Sequence, residues 1–205
     1  LVEPFKTPTT GYDKLASVYD RLYLSEKDLQ RSAAAHGAAR ECLGKVRPRG
    51  AVLDAGCGTG FLLEGVPVGE PTYVGVDISN GMLAEAKSKF PSYTFLEASV
   101  TDTRLPAGSV GAFISLFSVV NYVETSELLG EIGRICASGA RVLIVARRAL
   151  SSDDYQGTPE FACLWDWDTI TEIHCSDTLR DVAVRPLTES VLGDDKFVVL
   201  EATRA

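Results

Sequence analysis

The chain has 205 residues, of which 45% are apolar and 23% charged, enough hydrophobic material for the core of one domain and the wrong composition for disorder, collagen or a coiled coil. Its 28 acidic and 20 basic residues leave a formal net charge of −8, with no basic block, which argues against a nucleic-acid backbone or an anionic membrane as partner.

In chain order, short β-branched runs alternate with helical patterns, the signature of a mainly parallel α/β sheet. Lys27 to Val46 predicts an amphipathic helix with Leu29, Ala33, His36, Cys42 and Leu43 on one side. Strands are expected over Ala51–Asp54, Thr72–Asp77, Tyr93–Glu97, Ala112–Phe117, Arg141–Ala146, Asp181–Leu187 and Lys196–Ala202. Between them Ser79 caps a helix carrying Met82, Leu83 and Ala86, and Thr125 caps one whose Leu128, Ile132 and Ile135 share a face before Gly139 stops it. A further helix opened by Asp168 holds Ile170, Ile173 and His174. No repeat or linker divides the chain, so residues 1–205 read as one domain, with 1–46 as N-terminal cap helices and 147–168 as a substrate-side segment.

The longest nearly uncharged stretch, Val110 to Val123, is too short to cross a bilayer, and the N-terminus lacks a signal peptide's basic start and apolar centre, so a soluble cytoplasmic protein is expected. The first residue is Leu, which implies that native N-terminal residues are omitted from the numbering. Five cysteines (Cys42, Cys57, Cys136, Cys163 and Cys175) form no C-x-x-C pair, so packed thiols are expected rather than a disulfide framework or a metal site.

The chemistry concentrates where strands end. Asp54-Ala55-Gly56-Cys57-Gly58-Thr59-Gly60 leads from an apolar strand into a helix through glycines at alternate positions, so a ligand can lie against bare backbone beside unpaired helix N–H groups. Asp77 ends the next strand, about 20 residues on, where a carboxylate can accept both hydroxyls of a ribose. An acid at the head of the loop would repel a pyrophosphate but not a cationic cofactor.

These residues resemble the Rossmann-like S-adenosylmethionine-dependent methyltransferases over nearly the whole chain. The similarity includes Tyr12-Asp13-Lys14-Leu15-Ala16-Ser17-Val18-Tyr19-Asp20, Val52 to Gly60, Val74 to Ser79 with Met82 and Leu83, Phe95 to Asp102 with Leu105-Pro106, and Leu116 to Tyr122. The resemblance implies a three-layer α/β sandwich around a seven-stranded sheet with the last strand antiparallel. It implies S-adenosylmethionine as cofactor and S-adenosylhomocysteine as product, with Gly56, Gly58 and Gly60 against the methionine portion, Asp77 on the ribose, Met82 on adenine, and Asp54, Cys57 and Ile78 among the cofactor-binding residues. Ser99 stands where relatives usually carry an acid for the adenine amino group, with the Val100 backbone beside it, and Gly111 where they commonly carry aspartate. Leu116 completes the cofactor set, and Tyr12 and Tyr19 are expected to close over it.

Methyl transfer is an in-line displacement that needs alignment and desolvation more than a protein nucleophile. Candidates for handling a proton or ordering the acceptor are His174, Asn121 and Tyr122, with His36, Tyr155, Trp165 and Trp167 as substrate contacts. The expected function is N- or O-methylation of a small organic acceptor, fitting natural-product chemistry, by a monomer or homodimer. Two other uses of the fold stay open on the residues alone: a reaction other than methyl transfer, such as cyclisation, and a cofactor-binding module without turnover.

Overall fold

The computed structural model describes residues 9–45, 50–67, 73–117, 119–148, 165–188 and 197–205. They form a seven-stranded sheet in the order β3-β2-β1-β4-β5-β7-β6, with β1 at Ala51–Ala55, β2 at Tyr73–Asp77, β3 at Thr94–Glu97, β4 at Val110–Ser115, β5 at Cys136–Arg147, β6 at Leu179–Pro186 and β7 at Phe197–Arg204. β1 to β5 pair in parallel, whereas β7 lies antiparallel between β5 and β6. The sandwich expected from the sequence is therefore the one observed. The helices are α1 (Thr9–Leu15), α2 (Glu26–Lys45), α3 (Phe61–Gly65), α4 (Asn80–Lys89), α5 (Thr125–Ile135) and α6 (Trp167–Cys175), with 3-10 turns at Ala16–Arg21 and Val119–Tyr122. Among the described residues no helix is long and apolar enough to cross a membrane.

Two apolar layers cover the sheet, one per face. Leu53, Phe113, Val142, Ile144 and Val198 meet Leu128, Ile132 and Ile135 of α5 and Ile173 of α6. On the other face Val52, Ile114, Leu143, Val145 and Val199 meet Ala35, Ala38, Ala39 and Cys42 of α2 and Leu62 of α3. Alternation along the central strands thus fills both layers, as a strand buried on both faces requires.

Several predicted boundaries shift. β5 begins at Cys136, directly after α5, because Gly139 takes a left-handed φ of 82° inside the strand rather than ending a helix. α5 is preceded by Glu124, not capped by Thr125, and the α6 cap is Asp166, not Asp168: its carboxylate accepts from Thr169 N–H at 2.9 Å. Ser79 does cap α4, its Oγ accepting from Met82 N–H at 3.2 Å.

Candidate active site

The carboxyl ends of β1, β2 and β4 meet at one edge of the sheet, where ligand loops of open α/β folds gather. The glycine loop after β1 has φ of 77° at Gly56, 53° at Gly58 and 94° at Gly60. A methyl at Gly56 would stand 2.6 Å from Val119, and one at Gly60 2.8 Å from Phe90, so those glycines allow close packing. A methyl at Gly58 would meet nothing within 4 Å. Gly58 is therefore where bare backbone faces open space, the cradle that a ligand fills.

Asp77 is fixed at the end of β2. Its Oδ2 accepts from Gly58 N–H and its Oδ1 from Ser79 N–H, each at 2.9 Å, which couples the glycine loop to the start of α4. Each carboxylate oxygen keeps a further lone pair, so the pair can also accept from a ribose diol. Burial pushes the Asp77 carboxyl above its ordinary range, opposed by these N–H groups.

Asp54 lies beneath the loop, buried, with Oδ2 accepting from Tyr73 O–H at 2.8 Å. Its described hydrogen-bond partner is thus a core tyrosine, beside the loop where the cofactor contact is expected. Burial pushes its carboxyl up to about 7, and the Asp77 charge adds to the rise. The folded chain then holds a proton that the unfolded chain releases between the ordinary carboxylate range and about 7, so this group lowers stability as pH rises through that window. In Asp54→Asn the thermal midpoint, relative to the unsubstituted chain, is expected to climb between pH 4.5 and 8. A difference independent of pH would show that Asp54 ionises normally.

The N-terminal segment lies over these loops. Tyr12 O–H pairs with Tyr122 O–H at 2.8 Å, and the Tyr12 ring stands edge-on to Tyr19 with centroids 6.1 Å apart. Burial, with the nearby Tyr23, Tyr12 and Asp77, drives the Tyr19 hydroxyl far above its ordinary value, so it stays protonated at neutral pH. Two residues not singled out from the sequence fasten this segment. Asp13 accepts from Ser79 Oγ at 2.6 Å and Gly81 N–H at 2.9 Å, and Asp20 accepts from Thr59 Oγ at 2.6 Å and pairs with Lys89 at 3.0 Å. The recurrence of Tyr-Asp seven residues apart was the available signal.

Met82, Val100 and Leu116 are buried where they support the cofactor loops, and Ile78 is half-buried beside Asp77. Ser99 Oγ is engaged with Thr101, 2.9 Å from its hydroxyl. Cys57 is packed into the layer on the α2 face, its thiol pushed up by burial. Phe117, two residues past β4, has φ of 64°, a costly conformation for an aromatic residue, and its ring lies 5.5 Å from those of Phe61 and Phe197.

The remaining sequence candidates among the described residues have other partners. His174 is exposed near the C-terminus of α6, its Nδ1 2.9 Å from the Ile170 carbonyl. Since α6 starts beside the end of β5 and runs back to the start of β6, His174 lies toward the opposite edge of the sheet, away from the glycine loop. His36 stacks on Phe61 at 4.2 Å and its Nε2 lies 2.8 Å from the Phe61 carbonyl, so it docks α2 on α3; burial lowers its pKa. Trp165 is fully buried in the α5 and α6 layer. Asn121 is also fully buried, donating to the Arg147 carbonyl at 3.0 Å and accepting from Arg147 N–H at 2.8 Å, which makes it a positioning residue for the end of β5. Tyr155 and the Trp167 side chain lie outside the described residues. Among the described residues no cluster of His, Cys, Asp and Glu could hold a metal ion.

Residues 52–139 match the methyltransferase domain family. The chain is 34% identical over 116 residues to dTDP-3-amino-3,4,6-trideoxy-alpha-D-glucopyranose N,N-dimethyltransferase of Streptomyces venezuelae, covering 56% of this chain and 48% of that protein. It is 29% identical over 101 residues to a ubiquinone/menaquinone biosynthesis C-methyltransferase of Campylobacter jejuni, covering 46% and 43%. The chain thus spans about half the length of the curated relatives it matches. In fold it is similar to geranyl diphosphate C-methyltransferase of Streptomyces coelicolor in complex with magnesium, geranyl diphosphate and S-adenosyl-L-homocysteine, with TM-score 0.68, 17% identity and coverage of 84% of this chain and 78% of that one. Residues 52–139 thus carry a methyltransferase domain, and the sheet has the fold of the Rossmann-like S-adenosylmethionine-dependent methyltransferases. The open cradle at Gly58 and the doubly anchored Asp77 fit that cofactor's methionine portion and ribose.

Proposed function

We propose that the protein transfers a methyl group from S-adenosylmethionine to a nitrogen or oxygen of a small organic acceptor. The observation that carries this reading is the convergence of the Gly58 cradle, the Asp77 carboxylate and the Tyr12–Tyr122 hydroxyl pair at one sheet edge. The cofactor, when bound, supplies an electrophilic methyl on a sulfonium. Asp77 holds the ribose, the glycine loop admits the methionine end, and Tyr12 and Tyr19 exclude water from above. The Tyr12–Tyr122 pair can accept from an acceptor's N–H or O–H, turning its lone pair to the reacting carbon. A nitrogen acceptor suits this set best, because a neutral amine attacks without prior loss of a proton. The N,N-dimethyltransferase relative supports that choice.

Incubating the protein with methyl-deuterated S-adenosylmethionine and a panel of small amines, phenols and quinols, then locating the label by mass spectrometry and NMR, tests it. Label on nitrogen or oxygen, with S-adenosylhomocysteine formed one to one, is expected. Label on carbon alone would replace this reading with that of the quinone relatives, and cofactor binding without transfer would favour a binding module or another reaction.

A further inference from the structure

We propose that Arg148 and Trp165, beyond the end of β5, form a binding site for an anionic group on the acceptor. The two residues are parallel bridge partners, with Trp165 N–H donating to the Arg147 carbonyl at 3.2 Å, so their side chains leave the same face of the sheet. That face is the one covered by α5 and α6, because Trp165 and Ala146, two positions before Arg148, both belong to its apolar layer. Both side chains carry orphaned donors: Arg148 Nε and Trp165 Nε1 are buried without a hydrogen-bond partner, and Trp165 is fully buried. A buried donor left without an acceptor is costly, and each such group in a native fold calls for a partner that the chain alone does not supply.

Arg148 differs from the other arginines with a buried, unmatched Nε. Arg141 and Arg204 are committed through their outer nitrogens, to Thr203 Oγ at 3.2 Å and to the Gly133 carbonyl at 3.0 Å, and Arg31 faces Asp28 at 4.0 Å. Among the described residues no carboxylate or carbonyl accepts from the Arg148 guanidinium. An arginine without a carboxylate partner among the described residues is conspicuous in a chain of net charge −8. Its backbone is also fixed: the Asn121 amide grips both the N–H and the carbonyl of Arg147, which anchors the strand end that Arg148 follows. A guanidinium and an indole N–H on bridged positions of one sheet face suit two oxygens of a phosphate or carboxylate, one on the planar fork and one completing the indole.

This rests on the methyl-transfer reading above and narrows its acceptor to one bearing a phosphate or carboxylate. The test is calorimetric titration of the protein with S-adenosylhomocysteine first, then of that complex with inorganic pyrophosphate and, separately, with malonate. The S-adenosylhomocysteine step is expected to be equal in the unsubstituted chain, Arg148→Met, Arg148→Lys and Trp165→Phe. Pyrophosphate or malonate is expected to bind the unsubstituted complex, at least tenfold more weakly in Arg148→Met, severalfold more weakly in Trp165→Phe, and with intermediate affinity in Arg148→Lys. Preference for pyrophosphate assigns a phosphorylated acceptor, preference for malonate a carboxylated one. Binding of neither, or equal binding by Arg148→Met, overturns the anion site while leaving the cofactor reading intact. Failure of the first titration would instead strike the methyl-transfer reading itself.

Discussion

Replacing Asp77 by Ala is expected to weaken binding of S-adenosylmethionine and S-adenosylhomocysteine alike by about 3 kcal/mol, roughly a hundredfold. Two losses combine. The ribose diol loses a charged acceptor, worth more than a neutral one. The N–H groups of Gly58 and Ser79, both held at 2.9 Å by this carboxylate, lose their common anchor, so the cradle and the start of α4 are no longer fixed to each other before the cofactor arrives. Asp77→Asn keeps one acceptor oxygen and should fall between the two. Calorimetry on the folded variants gives the answer, and an unchanged affinity in Asp77→Ala would remove this residue from the ribose site.

The second large effect separates two glycines of one loop. Gly56→Ala places a methyl 2.6 Å from the Val119 side chain at a φ of 77°. Left-handed strain and overpacking together are expected to cost about 2 to 5 kcal/mol of stability. Val119 has little room to retreat, because two residues on Asn121 is bonded to the end of β5. At Gly58 the added methyl meets nothing, so only the backbone term of about 1 to 2 kcal/mol applies, yet the methyl occupies the space the cofactor needs. Urea midpoints and S-adenosylhomocysteine affinities measured together should therefore cross: Gly56→Ala loses more stability, and Gly58→Ala loses more affinity per unit of stability lost. Parallel losses in both would show that the cradle does not face the ligand.

The comparison of sequence with structure divides along a physical line. Central strands announce themselves because burial on both faces demands continuous β-branched runs, and the acid ending β2 follows from a fixed distance past the glycine loop. Helical spacing places His174 on a face with Ile170 and Ile173 but does not say at which edge of the sheet that turn lies, and the fold carries it away from the site. Trp165 sits among acids in the chain and is expected there as a substrate contact, whereas in the fold it is fully buried and bridged to Arg148. Asp13 and Asp20 were hidden for a related reason: their partners lie 39 to 69 residues away, beyond any local pattern.

Those distant partners also order events in time. From Tyr12 to Arg21 only Ala16 is fully buried, and polar contacts from Tyr12, Asp13 and Asp20 tie the segment to Thr59, Ser79, Gly81, Lys89 and Tyr122. As the chain leaves the ribosome, Tyr12 emerges 110 residues before the hydroxyl it will meet, and the loops beneath it acquire their shape only once β1, β2 and β4 have paired. A stretch synthesised before its partners is thus fitted after them, closing over a cleft that β1, β2 and β4 have already built.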